Sequence, residues 1–381
     1  MERQLDSRTP DAPREEPRGG ALASVEDEAS TPAHEHEHNL SWVLIGDHGL
    51  RSGWSAVLAI ALYILLTPVL DTVAVTAFPR LAEAVFSPFT VLISELIPVI
   101  EILGIGLFMA RIEHRRIADY NLADSRRLQH FAGGVFAGFA ALSALVAGLA
   151  AGGWIRFGHA SLGSGQAFAF GAVWAAAFLL VGLFEEGSFR CYLLFTLTRG
   201  ISFWWALAGV SGLCLLLLTS RDPRGSGGVY LIALLGVVPC WLLHRARAAD
   251  SGFWQAAWTT STAFGYFHTS NNGENAVGIF AAALIGFVFC VSVRATGSAW
   301  WAIGCHGAWD WAETYFYGTP DSGFVAQRHF LTTTPVGNTL WSGGADGPEG
   351  SLLVAPVILL LLALLLVVYR RKRDAVVAVL P

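Results

Sequence analysis

Six ionisable side chains stand in stretches that are otherwise apolar. Glu185, Glu186 and Arg190 lie in Glu-Glu-Gly-Ser-Phe-Arg, His268 ends Phe-Gly-Tyr-Phe-His, and His306 and Asp310 bracket His-Gly-Ala-Trp-Asp. Carboxylates and imidazoles are the groups that hold and move protons when water is made to attack a carbonyl. On a helix, Glu186 and Arg190 are four apart and can pair, with the acid before the base, the favourable order. Glu185 is then turned about 100° away and aims at something that is not local. His306 and Asp310 are also four apart and share a helix face. Such a pair can orient an imidazole, bind a metal or hold a substrate oxygen. Gly304, Gly307 and Ala308 beside it let a neighbouring backbone come close. His268 alone reads as an interior histidine, and the Glu-Arg pair alone as a structural tie.

What gives the set meaning is where it sits. The 381 residues are 54% hydrophobic and only 14% charged, whereas a soluble domain carries about 25% charged residues. That composition excludes an ordinary soluble enzyme and a disulfide-stapled secreted module. The net charge of −5 leaves no basic footprint for nucleic acid. An ionisable group inside a membrane span costs roughly 2.5–3.5 kcal/mol on insertion scales, so each one calls for a partner away from lipid. Beyond the Glu186–Arg190 pair, one shared polar cavity inside a helix bundle would serve the other four. The five cysteines lie in apolar stretches without Cys-x-x-Cys spacing and read as buried hydrophobes.

The elements that must position these groups are apolar segments of about 20 residues, the length that spans a bilayer. They run over 54–70, 89–110, 131–155, 167–197, 202–219, 229–243, 253–270, 276–293, 299–316 and 351–369. The expected fold is all-α: a polytopic transmembrane helix bundle of about ten spans. Residues 1–50 are polar, rich in Pro and Glu, and read as a disordered tail; their alternating His34, His36 and His38 read as solvated. Residues 51–166 then form the N-terminal helices and 167–316 a core with an inserted hairpin at about 201–252. An extracytoplasmic loop, a lid or a linker, covers 317–350, and a last span with a basic tail covers 351–381. Most basic residues between spans fall on one side if both termini are cytoplasmic, which is the expected orientation in a multi-pass cell-membrane protein. In the second span Glu101 is read as facing the cavity and Glu95 as nearer the end. The Asn271–Asn275 turn is read as a plain connection that could edge the cavity mouth.

Taken in order, the three motifs resemble those of the CPBP (CAAX protease and bacteriocin-processing, or Abi) intramembrane endopeptidases, which include the Ras-converting CAAX prenyl proteases. The resemblance covers about residues 167–316 and includes the phrase from Gly297 to His306. It implies an endopeptidase of glutamic or metallo type, acting on a membrane-embedded or lipid-modified protein or peptide. By that resemblance Glu185 and His268 activate the attacking water, Glu186 and Arg190 hold the helix and water network, and His306 and Asp310 form the oxyanion side. Glu185, His268 and His306 are the donors a zinc ion could use, although the spacing is not that of His-Glu-x-x-His.

Two features depart from that family's pattern. Its third motif often ends in Asn, whereas Asp310 donates a hydrogen bond only when protonated. Arg190 and His268 are 78 positions apart, where one short helical connection is usual. The extra length holds two added spans, which return the chain to the same side. Two other classes fit the same buried acids: a proton- or ion-coupled transporter, which would be expected to show internal repeats, and a scaffold that has lost its chemistry.

Overall fold

A computed structural model of the chain describes residues 44–377, except 47, 48, 84, 161, 220–226 and 272. Nearly all of the tail expected over residues 1–50, with its histidine run, lies outside the described residues. At its end, Ile45–Gly46 (β1) and Gly49–Leu50 (β2) pair as short antiparallel strands.

Helices follow in succession: α1 Ser52–Ala77, α2 Pro88–Ile112, α3 Arg127–Ala151, α4 Ser164–Thr198, α5 Phe203–Thr219, α6 Leu231–Arg245, α7 Ser251–Phe267, α8 Ala276–Thr296, α9 Trp300–Asp310 and α10 Val354–Val377. The all-α expectation holds, but the segments are unequal. Five of them (α1, α2, α3, α4 and α8) are long and apolar enough to cross a membrane, while Phe203–Thr219, Leu231–Arg245 and Val354–Tyr369 are apolar but shorter. The helices that carry the histidine motifs, α7 and α9, are not apolar enough to be grouped with these. The reason is visible in their surroundings: Gln255, Thr260, Ser261 and Thr262 of α7 are buried in the bundle, where other helices shield them from lipid. Outward-facing side chains are large and apolar, with Leu65, Phe136 and Phe168 at least two-thirds exposed. Such a surface is suited to hydrocarbon, and the chain is a membrane protein.

Close backbone contacts fix α9. A Cβ on Gly134 or Gly138 of α3 would lie 2.1 Å from the carbonyl oxygens of Trp301 and Cys305, and one on Gly304 would lie 2.3 Å from the Phe131 oxygen. On the other side, a Cβ on Gly307 would sit 2.9 Å from the Phe178 oxygen of α4. Helix α9 is thus held between α3 and α4 at a separation only small residues permit, the packing that replaces the hydrophobic effect inside a bilayer.

Helix α4 is not regular throughout. It passes through a π-helical turn at Gly187–Leu193, directly after Glu185 and Glu186. A second π turn, Trp311–Tyr317, directly follows Asp310 at the end of α9. Such turns lodge one extra residue in the helix and gather at functional sites. The Arg190 carbonyl in the first turn accepts a hydrogen bond from Asn121 Nδ2 at 2.8 Å, and the Asn121 carbonyl in turn accepts from Ala299 N at 2.8 Å. Trp300 Nε1 donates to the Leu122 carbonyl at 2.9 Å. One loop therefore ties the start of α9 to the π turn of α4.

The segment expected to form an inserted hairpin packs on α7. Its second arm is not a uniform span: a single turn at Gly227–Tyr230 and a 3-10 stretch at Leu231–Gly236 precede the α-helical Val237–Arg245. Trp258 of α7 donates to the Ala233 carbonyl at 2.6 Å, and Tyr230 donates to the Thr262 carbonyl.

The segment between α9 and α10 is folded. Thr333–Pro335 (β4) pairs antiparallel with Ile155–Phe157 (β3), with Arg156 opposite Thr334. Further along, Gly273 N donates to Ser322 O, Ser322 N to Asp346 O, and Asn275 N to Asp346 Oδ2, at 2.9–3.0 Å. These bonds hold the segment as a roof on the turn that follows His268.

Candidate active site

Glu186 and Arg190 are both fully buried, and Arg190 Nη1 donates to Glu186 Oε1 at 3.2 Å. The guanidinium lies over the Phe264 ring at 4.1 Å, a cation–π contact that couples α4 to α7. The same Glu186 oxygen meets His306 Nδ1 at 2.9 Å. His306 Nε2 faces Glu185 Oε2 at 3.7 Å and Asp310 Oδ2 at 3.5 Å. The Phe289 ring stacks on this imidazole, with centroids 5.6 Å apart. Glu185 does point away from Arg190, as the helix geometry requires, and its Oε2 is buried without a hydrogen-bond partner.

His268 closes α7. Its Nδ1 lies 2.9 Å from the Phe264 carbonyl, to which it can only donate, so in the neutral ring Nε2 carries the lone pair. The Phe264 ring stands between the two imidazoles, 4.7 Å from His268 and 6.0 Å from His306.

Glu185, His268, His306 and Asp310 line one cavity of about 310 Å³. Glu186 and Arg190 stand behind its wall. All six residues singled out in the sequence therefore meet in one region, although His306, rather than His268, makes the near approach to Glu185.

The same cavity is lined by Glu95, read as nearer the end of its span, and by Glu313, Asp321 and Glu349, which the sequence reading did not single out. The expected order in α2 is reversed: Glu95 faces the cavity, whereas Glu101 is buried elsewhere and accepts a hydrogen bond from Thr67 Oγ1 of α1 at 3.0 Å. Glu313 lies three residues after Asp310 on the π turn, and its Oε2 accepts from Trp309 Nε1 at 3.1 Å. A carboxyl so soon after Asp310 in an aromatic span was the available signal. Asp321 and Glu349 stand in a polar loop, where acids carry no such signal. Burial raises the Asp321 carboxyl above its ordinary range, although Thr314 donates to it at 2.7 Å. Burial, with the neighbouring charges of Asp321 and Asp310, raises Glu349 well above its own. Asn271, read as a connecting residue, also lines the cavity.

Glu185, His268 and His306, the donors named for zinc, all line this cavity. Among the described residues no three His, Cys, Asp or Glu side chains are grouped as a metal would need them, and His306 is already engaged with Glu185, Glu186 and Asp310. The described cysteines are all free and buried.

Fold and site together define a membrane-embedded helix bundle around an acid- and histidine-lined cavity. Residues 240–312 match the family described as type II CAAX prenyl endopeptidase Rce1-like. The matched segment carries His268, His306 and Asp310 and ends before Glu313; Glu185, Glu186 and Arg190 lie upstream of it. The family recognised from the motifs is thus the one that the comparison finds, and the match supports a CAAX-type endopeptidase. Comparison with curated proteins and with solved structures finds no match.

Proposed function

We propose that the chain is an intramembrane endopeptidase of glutamic type, hydrolysing a peptide bond in a membrane-embedded or lipid-modified protein or peptide. The observation that carries this reading is the convergence of Glu185, His268 and His306 on one cavity inside the bundle, within a chain whose residues 240–312 match a CAAX endopeptidase family. Glu185, with an unengaged oxygen, and His268, with Nε2 free, are the proton acceptors that face a water. Water attacks the scissile carbonyl as its proton passes to one of them, and that proton then goes to the leaving amine. His306, whose Nδ1 is committed to Glu186, turns Nε2 to the cavity and in its doubly protonated form offers a donor to the oxyanion. Asp310 and Glu186 hold the ring. Arg190 balances Glu186 and does not touch the substrate.

The test is cleavage of a membrane-peptide substrate by the full chain reconstituted in liposomes. Glu185→Ala and His268→Ala each lower the rate by about a hundredfold or more while leaving the thermal unfolding transition in place. A zinc chelator leaves the wild-type rate unchanged. Full activity in both variants removes the reading.

A further inference from the structure

The proposed reaction uses Glu185, His268, His306 and Asp310, and leaves Glu95, Glu313, Asp321 and Glu349 without a task. These four come from three places: α2, the π turn after α9, and the roof. All line the cavity that holds the reacting groups. The basic side chains lining it are His268 and His306; Arg190 is spent on Glu186 and Phe264 behind the wall.

Glu313 is 2% exposed, and its Oε1 has no hydrogen-bond partner. That oxygen stands under the roof, where a Cβ on Gly347 would lie 2.9 Å from it. A buried carboxyl with an unmet oxygen is costly unless something supplies a donor. An apolar guest would also strip water from the other acids. A cationic guest pairs with them.

We infer that the cavity selects a substrate carrying an arginine or lysine beside the scissile bond, whose cationic head is received by Glu95, Glu313, Asp321 and Glu349. This rests on the endopeptidase reading and adds the charge of the substrate to it. No three of these acids are grouped as metal ligands among the described residues. Carboxyls from three elements that are not grouped as metal ligands suit a side chain with several N–H donors better than a point ion. A cavity of about 310 Å³ is at the small end of ligand clefts and has room for one such side chain.

The test uses two labelled peptides identical except for arginine against citrulline, its neutral isostere, with the full chain in nanodiscs. Binding is read by fluorescence anisotropy and cleavage separately by mass spectrometry. The arginine peptide binds at least about tenfold more tightly, the gain expected of charge-assisted hydrogen bonds. The ratio falls to within about threefold of unity in the Asp321→Asn, Glu349→Gln double variant. If that variant does not fold, Glu95→Gln on α2 carries the same comparison and lowers the ratio. Equal binding of the two peptides by wild type, or an unchanged ratio in the folded variants, overturns the inference. Tight, charge-dependent binding with no cleavage of either peptide upholds the charge selection and counts against the endopeptidase reading instead.

Discussion

Glu186 is the residue on which the site turns, because one of its oxygens meets both Arg190 Nη1 at 3.2 Å and His306 Nδ1 at 2.9 Å. Removing its charge would leave a fully buried guanidinium without its counter-ion. Breaking a buried pair in this way costs about 3–5 kcal/mol, so Glu186→Gln lowers the unfolding midpoint clearly as well as impairing cleavage. An unchanged denaturant or thermal transition would show that the pair does not hold the helix. The local part of this arrangement was legible in the sequence: both four-residue spacings put their partners on one face. The pairing of Glu186 with His306 was not, because it crosses 120 positions and depends on how α4 and α9 pack. Glu95 and Glu101 show the same limit. Six positions apart, they face different ways, and nothing in the surrounding apolar residues says which face meets the cavity.

At the level of elements, the reacting groups are placed by glycines and by π turns. The small residues around His306 announced a close approach, and the structure supplies the partners in Gly134 and Gly138 of α3. Gly138→Ala would put a methyl 2.1 Å from the Cys305 oxygen, forcing α9 outward. The expected cost is about 1–3 kcal/mol with a matching fall in cleavage, read by thermal unfolding and rate together; a variant as stable and active as wild type would contradict this clamp. The π turns were not legible, since a register shift leaves no periodic signature over so short a length. The roof makes a different prediction. Burial, and then the charge of Glu274, push the Asp346 carboxyl up to about 10. An acid raised in the folded state contributes stability that is full below its unfolded value near 3.8 and is lost as pH rises through about 10. The roof therefore loosens progressively as pH rises from about 4 to about 10. Asp346→Asn keeps an acceptor for Asn275 N and loses that dependence. Its unfolding temperature relative to wild type rises from pH 5 to pH 9; parallel curves would rule the mechanism out.

The whole molecule is a bundle in which lipid-facing helices enclose a polar interior. Its class could be read from composition, because 14% charged residues cannot cover a water-exposed surface of this size. The separation of roles among helices was less visible. The helices that bear His268 and His306 are the more polar ones, tolerated because α1, α2, α3, α4 and α8 supply the long apolar lengths. The segment between α5 and α7 leans on α7 through Trp258 and Tyr230, so part of the chain between Arg190 and His268 buttresses the helix that carries the second motif. The central claim is that this cavity cuts peptide bonds in the membrane, and comparative peptidomics of membranes carrying wild-type protein or Glu185→Gln tests it most directly. The account predicts new peptide termini from membrane-associated proteins in the wild-type sample that vanish in the variant at equal protein level. Identical sets of termini in the two samples would contradict it.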